Sequence, residues 1–130
     1  NECNASLKDV FQKDLNHRKI HINHPETIKK CKSYYQYDQN LRGHNSQDQR
    51  YFDIYSKCNT LLVSSSSIPK IKVGENIWLA NPLECELLQT LPKNYTQSIS
   101  NSRRYSAIGN GWTVDVIVHI LNGLKEELSR

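Results

Sequence analysis

The chain has 130 residues, of which 37% are hydrophobic and 23% charged, and this length suits one ordinary domain. Seventeen Lys and Arg against thirteen Asp and Glu give a net charge of +4, a mild lean toward anionic partners. No apolar run approaches the roughly 20 residues of a membrane-spanning helix, and no signal-peptide pattern opens the chain. Methionine is absent and the first residue is Asn1, so we expect a processed chain or a part of a longer protein.

Four cysteines are spread evenly along the chain, at Cys3, Cys31, Cys58 and Cys85. Their flanking residues share no pattern, and the absence of a Cys-x-x-Cys pair argues against structural zinc. We therefore expect free thiols and a cytoplasmic protein. The alternative that stays open is a secreted binding module with two disulfides.

The first 45 residues predict an irregular, basic lead-in with short helices. Ser6 can cap a short helix over residues 6–11, and Pro25 and Glu26 suit the first turn of a helix that runs to about Tyr35. Residues 36–49 are almost wholly polar. They predict a long loop, which is more often functional than structural.

Residues 50–80 predict a small antiparallel sheet. Strand-forming side chains follow Arg50 and recur at residues 60–63, and isoleucine alternates with lysine at residues 68–73. Gly74 and Glu75 then form a turn into a hairpin partner at residues 76–80.

The remaining residues predict two helices separated by a polar connector at residues 93–104. Asn81 caps the first helix, Pro82 occupies its first turn and Pro92 ends it. The second helix covers residues 112–128 and has a wide apolar stripe. This stripe either forms the centre of the core or docks on something outside the chain.

The sequence shows no set of side chains that is typical of a self-sufficient active site. His17, His21 and His24 are close in sequence, but Asn16 and Pro25 interrupt a helix there and no fourth ligand stands nearby, so we interpret them as solvated. No nucleophile motif or phosphate-binding glycine loop occurs. We assign no catalytic residue and no metal ligand.

One segment is more informative, because Gly109, Asn110, Gly111 and Trp112 open the last apolar helix. Free amides at a helix start bind carboxylates or phosphates, and glycines let a ligand approach the backbone. Trp112 could stack on a flat ring. A glycine-rich turn beside a core tryptophan explains the same residues equally well.

Two ordered stretches carry a resemblance that favours the ligand site. NPLECELLQTLPKNYT (residues 81–96) and SRRYSAIGNGWTVDVIVHIL (residues 102–121) resemble the ninth and tenth conserved motifs of DNA (cytosine-5) methyltransferases. The amino-acid sequence of these stretches is most similar to that of bacterial and phage relatives of the animal de novo enzymes. The resemblance covers about residues 45–128.

The resemblance implies specific site residues. The segment SQDQRYFDIYSKCNTLL (residues 46–62) resembles the family's target-recognition loop, whose matching positions are DNA-binding: Gln47, Gln49, Arg50 and Thr60. A Gln can fill the gap left when cytosine swings out of the duplex, and an Arg can contact a guanine edge. The positions that match cofactor contacts to S-adenosylmethionine are Asn110, Gly111 and Trp112. Glu84 matches a glutamate that holds the recognition region in place.

The family's catalytic elements have no counterpart in this sequence. No cysteine follows a proline, so the thiolate that attacks cytosine must belong to another segment or subunit. The fold class is therefore predicted as α+β: a small antiparallel sheet with flanking helices and a long C-terminal helix, without the Rossmann-like catalytic half. We divide it into a lead-in (1–45), a recognition region with the ninth motif (46–101), and the tenth motif with the last helix (102–130).

The resemblance also implies the partners. They are double-stranded DNA and a catalytic half, with no membrane, in a bacterial or phage-encoded enzyme that flips cytosine and transfers methyl from S-adenosylmethionine. The chain alone should be inactive. A non-catalytic DNA-binding regulator is the alternative.

Overall fold

The computed structural model describes residues 5–41, 47–63 and 67–130, and every structural statement below concerns these residues. They form a six-stranded sheet and three α-helices, which confirms the predicted α+β class. The strands are β1 (Arg18–Ile20), β2 (Lys29–Lys30), β3 (Tyr35–Gln36), β4 (Arg50–Asp53), β5 (Lys70–Val73) and β6 (Asn76–Leu79). The helices are α1 (Pro82–Leu88), α2 (Asn101–Asn110) and α3 (Val114–Leu128).

The sheet has the strand order β1-β6-β5-β4-β3-β2. Its neighbours are antiparallel except β4 and β5, where Phe52 and Ile71 pair in parallel register. The expected antiparallel sheet is thus mixed at one pair, because the chain between β4 and β5 is a crossover long enough to return in the same direction.

The hairpin of β5 and β6 forms as predicted. Gly74 has a φ of 60°, which a residue without a Cβ adopts at little cost, and the two-residue turn sets Val73 against Asn76. Lys70 then pairs with Leu79, and Leu79 pairs with Arg18 of the edge strand β1.

The structure differs from the prediction in the first half of the chain. The helix predicted from Pro25 to about Tyr35 is wrong: only Pro25–Thr27 forms a 3₁₀ turn, and β2 and β3 follow. The short helix predicted at residues 6–11 is a 3₁₀ turn over Leu7–Asp9. Long-range backbone contacts hold the 3₁₀ turn in place, since the Leu7 amide donates to the Ser56 carbonyl at 2.9 Å. The strand predicted at residues 60–63 is absent.

The second half has one helix more than predicted. Helix α1 begins where expected, because the Asn81 side chain accepts from the Glu84 amide at 3.1 Å and Glu84 accepts from the Asn81 amide at 2.9 Å. The predicted polar connector is only partly a connector, since α2 begins at Asn101 behind the N-cap residue Ser100.

The core lies between one face of the sheet and helices α1 and α2. Its buried members come from five parts of the chain and are Leu7, Phe52, Ile54, Ile71, Ala80, Cys85 and Ile108. Helix α3 contributes no buried residue, and several of its apolar side chains, including Ile120, Leu121 and Leu124, are more than half exposed. Of the two alternatives for this stripe, the structure excludes the centre of the local core.

No helix among the described residues is long and apolar enough to cross a membrane.

Candidate functional site

The recognition turn, defined as residues 47–50, joins a 3₁₀ turn (Gln47–Gln49) to the first residue of β4. The Gln47 side-chain amide donates to the Thr60 carbonyl oxygen at 2.8 Å. Two of the four predicted DNA-contacting residues therefore lie side by side. Thr60 is exposed and Gln47 is half-buried, so the pair reaches the surface.

The other two predicted residues sit against the lead-in segment. The Arg50 guanidinium lies 4.7 Å from the centre of the Tyr34 ring, and Arg50 Nε has no hydrogen-bond partner among the described residues. The Gln49 amide reaches Asp38 Oδ1 at 3.5 Å. Arg50 is thus held by stacking, which leaves hydrogen-bonding capacity unused.

A buried lysine holds the recognition turn in place through one of its backbone carbonyls. Lys70 is only 8% exposed, and its Nζ donates to the Asp48 carbonyl oxygen at 2.7 Å. Burial lowers the pKa of Lys70, and the nearby Asp48 carboxylate acts in the opposite direction. Sequence analysis missed this lysine, because the Ile/Lys alternation of β5 predicted an exposed side chain.

Glu84 is the buried centre of the ninth motif. Its side chain is fully buried, and besides the Asn81 amide it accepts from the Gln12 amide at 2.8 Å and from His17 Nε2 at 2.9 Å. Glu84 thereby fixes the lead-in segment to α1.

His17 is the partner that this arrangement requires. Its Nδ1 lies 2.8 Å from the Leu15 carbonyl oxygen, which can only accept, and its Nε2 faces the Glu84 carboxylate. The ring is thereby held at both nitrogens, between a backbone carbonyl and a buried carboxylate. Phe11 stacks on the ring at 4.6 Å. The interpretation of His17 as solvated is wrong.

The two other histidines of the cluster have no such role. His21 is exposed, and His24 Nδ1 lies 3.1 Å from Glu26 Oε1. The described residues contain no group of three or more His, Cys, Asp or Glu side chains that could hold a metal ion.

A second buried glutamate on α1 ties that helix to α2. The Glu86 carboxylate accepts from the Arg104 guanidinium, whose Nε also donates to Thr96 Oγ1 at 3.0 Å. The Tyr105 hydroxyl donates to the Ala80 carbonyl at 2.7 Å, and burial raises the pKa of Tyr105. Helices α1 and α2 are therefore joined by polar contacts as well as by the core.

The tenth-motif loop, defined as residues 108–113, is held by one side chain of the segment after α1. Gln89 Nε2 donates to the carbonyls of Ile108 at 3.0 Å and Gly111 at 3.2 Å, and Gln89 Oε1 accepts from Thr113 Oγ1 at 2.8 Å. A single amide thus fixes both ends of the loop.

The predicted cofactor residues lie in this loop, between two helices. Asn110 is the last residue of α2, Gly111 follows it, and Trp112 is 75% exposed. The prediction that residues 109–112 open the apolar helix is wrong, because Gly109 and Asn110 end α2 and α3 begins at Val114. The expectation of a core tryptophan is likewise not met.

The two glycines of the motif differ in what requires them. A Cβ at Gly109 would lie 2.0 Å from the Leu62 carbonyl oxygen, so α2 contacts the backbone of the chain just after Thr60. A Cβ at Gly111 would meet only the carbonyls of Ala107 and Ile108 at 3.5 Å, an ordinary contact. Packing within this chain requires a glycine at position 109 and does not require one at position 111.

The described cysteines Cys31, Cys58 and Cys85 are free thiols, and Cys3 lies outside the described residues. Burial raises the pKa of Cys58 to about 11 and raises that of Cys85 as well. Buried thiols with raised pKa values are poor nucleophiles, so neither suits attack on a base.

Comparison with known proteins identifies the family. The model of the C-5 cytosine-specific DNA methylase family matches residues 1–126, so the chain belongs to that family. A DNA (cytosine-5)-methyltransferase DRM2 from Oryza sativa subsp. japonica is 36% identical over 55 residues, which are 42% of this chain and 9% of that protein. The chain therefore matches only a small part of this relative's length. The match also includes the lead-in segment, which the resemblance had left unplaced.

Proposed function

We propose that this chain is the C-terminal target-recognition part of a cytosine-5 DNA methyltransferase, and that it completes the cofactor pocket of a catalytic half carried elsewhere. The contact of Gly109 with the backbone of Leu62 supports this proposal most directly. It joins the segment that follows Thr60 to the loop that contains Asn110 and Trp112. DNA contacts and cofactor contacts would then be held in one rigid unit.

The recognition turn supplies suitable chemistry for a flipped cytosine. The Gln47 amide carries both donor and acceptor atoms, and the adjacent Thr60 hydroxyl can bond a phosphate oxygen. Arg50 carries a guanidinium, whose paired donors suit the acceptor atoms of guanine in the major groove. Gln49 lies between Gln47 and Arg50 on the recognition turn.

The tenth-motif loop fits one wall of a site for S-adenosylmethionine, which supplies the methyl group when bound. The exposed Trp112 ring offers a stacking surface, and Asn110, two residues before it, is also exposed. Packing within the described residues does not require the glycine at position 111. These residues are what this chain would contribute, with the rest of the pocket on the catalytic half.

The catalytic half is also the partner that suits α3. The apolar stripe of this helix faces away from the core, and six of its side chains are between 47% and 78% exposed: Val116, Val118, Ile120, Leu121, Leu124 and Leu128. Its first turn is anchored, since the Asp115 amide donates to Thr90 Oγ1 at 2.9 Å. The helix would pack against the catalytic half. A bacterial or phage origin and a cytoplasmic location stay predictions.

The test is co-purification with neighbouring gene products, followed by transfer of tritiated methyl groups to duplex DNA. We expect no transfer by this chain alone and transfer by the mixture. In the mixture, Trp112→Ala should raise the KM for S-adenosylmethionine, while Tyr95→Ala, which removes another exposed ring (69% exposed), should not. Transfer by the isolated chain, or an unchanged KM for Trp112→Ala, would contradict the proposal.

A further inference from the structure

The sheet and the core fix the position of the Tyr34 ring. Tyr34 directly precedes β3, and its carbonyl oxygen accepts from the Cys31 amide at 2.8 Å, which closes the turn between β2 and β3. The centre of its ring lies 6.1 Å from that of Phe52, which is only 5% exposed and belongs to the core. Tyr34 therefore presents a ring whose place is set by backbone pairing and by buried packing.

The same ring lies against the last residue of the recognition turn. Gln36 of β3 pairs with Arg50 of β4, and Tyr34, two residues before Gln36, lies on the same face of the sheet. The Arg50 guanidinium lies 4.7 Å from the centre of the Tyr34 ring. Arg50 Nε has no hydrogen-bond partner among the residues that the structure describes, so stacking on the ring, and not a bond from Nε, orients the guanidinium.

The cavity around this pair contains no group that would withdraw the guanidinium from the ring. It has a volume of about 490 Å³, and its lining includes Tyr34, Arg50 and the exposed Lys32 and Lys57. None of the described residues that line it is acidic. A carboxylate there would occupy the guanidinium donors in a bidentate pair. Stacking instead engages the flat face of the guanidinium, and its terminal N–H groups, which lie in the plane, can still meet another acceptor.

We propose that Tyr34 is a positioning residue for the reading of DNA sequence, because it holds the Arg50 guanidinium with its terminal donors toward a guanine edge. This inference rests on the proposed function, which assigns the guanine contact to Arg50, and extends it to a residue of the lead-in segment. Tyr34 itself would touch no DNA. A guanidinium that is already held in place loses less conformational freedom on binding, so the ring increases the discrimination between base pairs.

The experiment selects preferred duplexes from a randomised pool with the unchanged chain and measures their binding by fluorescence anisotropy. The selected guanine is then replaced by 7-deazaguanine, which keeps the base pair and lacks the N7 acceptor. The ratio of the two affinities measures guanine discrimination. We expect a ratio of at least about five, the low end for a bidentate contact of arginine with guanine.

The variants test whether the ring acts through Arg50. Tyr34→Leu should lower guanine discrimination by about two- to fivefold, the value of a cation–π contact near the surface, and Tyr34→Phe, which keeps the ring, should preserve it. In an Arg50→Ala background, Tyr34→Leu should have no further effect. The matched control is Tyr55→Leu, which removes a 72% exposed ring that lies 5.5 Å from Lys8 Nζ and should leave discrimination unchanged.

A second measurement requires no substitution of Tyr34, so it does not depend on the stability of a variant. The ring current of Tyr34 should shift the Arg50 Nε–Hε signal upfield in the NMR spectrum of the free chain. The same shift should persist in the complex with the selected duplex. Its loss in the complex would overturn the proposal, since the ring would no longer hold the guanidinium that contacts the base.

The possible failures separate this role from the proposed function. Unchanged discrimination in Tyr34→Leu, an equal loss in Tyr34→Phe or an equal loss in Tyr55→Leu would overturn the role of Tyr34 and leave the proposed function standing. If the unchanged chain binds no duplex, if it selects no guanine, or if Arg50→Ala keeps guanine discrimination, the guanine contact of the proposed function fails. The role of Tyr34 then fails with it.

Discussion

The segment around α1 and the segment around α3 are built in opposite ways. Helix α1 buries two carboxylates, Glu84 and Glu86, and each has a side-chain partner from another part of the chain, His17 and Arg104 respectively. Helix α3 is anchored only at its first turn and exposes its apolar side chains. The α1 region can hold its geometry within this chain, whereas the α3 region has a face whose burial requires a partner. The predictions below test this contrast.

The largest effect is expected from removing the buried carboxylate of Glu84. Glu84→Ala leaves His17 and two backbone amides without an acceptor, and each buried polar group left unpaired costs about 1–3 kcal/mol. The free energy of unfolding in urea measures this loss. Glu75→Ala, on the exposed hairpin turn, is the control and should change it by less than about 0.5 kcal/mol. Similar values for both variants would refute the buried hydrogen-bond network of Glu84.

The second-largest effect on stability is expected from the close contact of Gly109 in α2 with the Leu62 backbone. Gly109→Ala places a methyl group against the Leu62 backbone, and overpacking of this kind costs about 1–3 kcal/mol. Gly123→Ala in α3 meets nothing within 4 Å and should stabilise the helix by up to about 1 kcal/mol. Urea unfolding should therefore shift in opposite directions for the two variants. A shift in the same direction would argue against the contact.

Alkaline pH should weaken the packing around Cys58. Because burial raises the pKa of this thiol to about 11 in the folded state, against 9.0 for its ordinary value, the folded state favours the neutral thiol. The contribution of the neutral Cys58 thiol to the free energy of unfolding is complete below pH 9. It is lost as the pH rises toward 11, by about 1–3 kcal/mol in total. Unfolding in urea at pH 7, 9, 10 and 11 measures the loss. Cys58→Ala should make the fall over this interval less steep, while Cys85 and Tyr105, whose pKa values burial also raises, still contribute to it. Equal curves would count against the raised pKa of Cys58.

The smallest effect on stability is expected in α3. Ile120→Gln with Leu124→Gln alters side chains that are 59% and 54% exposed, so the isolated chain should change by no more than about 0.5 kcal/mol for each substitution. Co-purification with the catalytic half should nevertheless be lost, because the same stripe would be buried there. Glu126→Gln on the same helix serves as the control and should preserve it. A large loss of stability in the isolated chain would mean that α3 belongs to the local core.

Local signals predicted the hairpin and the start of α1, although they missed helix α2. Gly74 marks the hairpin and Asn81 with Pro82 marks the start of α1, because turns and caps depend on residues close in sequence. The first half was predicted poorly, since strands of two or three residues carry no periodicity. The partner of Arg18 is Leu79, which no local pattern indicates.

The candidate site likewise combines residues that the sequence could indicate with contacts that it could not. The resemblance placed Gln47 and Thr60 on one recognition loop, and the structure joins them by a hydrogen bond. The contacts of His17, Lys70 and Gln89 could not be predicted, because buried polar groups are paired by tertiary folding. The capping pair of Asn81 and Glu84 was visible in the sequence, although its extension to His17 was not.

The contact of Glu84 with His17 also bears on how the chain folds. The two residues are 67 positions apart, and the Gln12 amide that shares this carboxylate is 72 positions away. Closing loops of this length costs chain entropy before any contact is gained, which slows folding relative to chains with local contacts. During synthesis, His17 leaves the ribosome well before its carboxylate exists. The lead-in segment must therefore wait, and the recognition region and the lead-in can complete their folding only together.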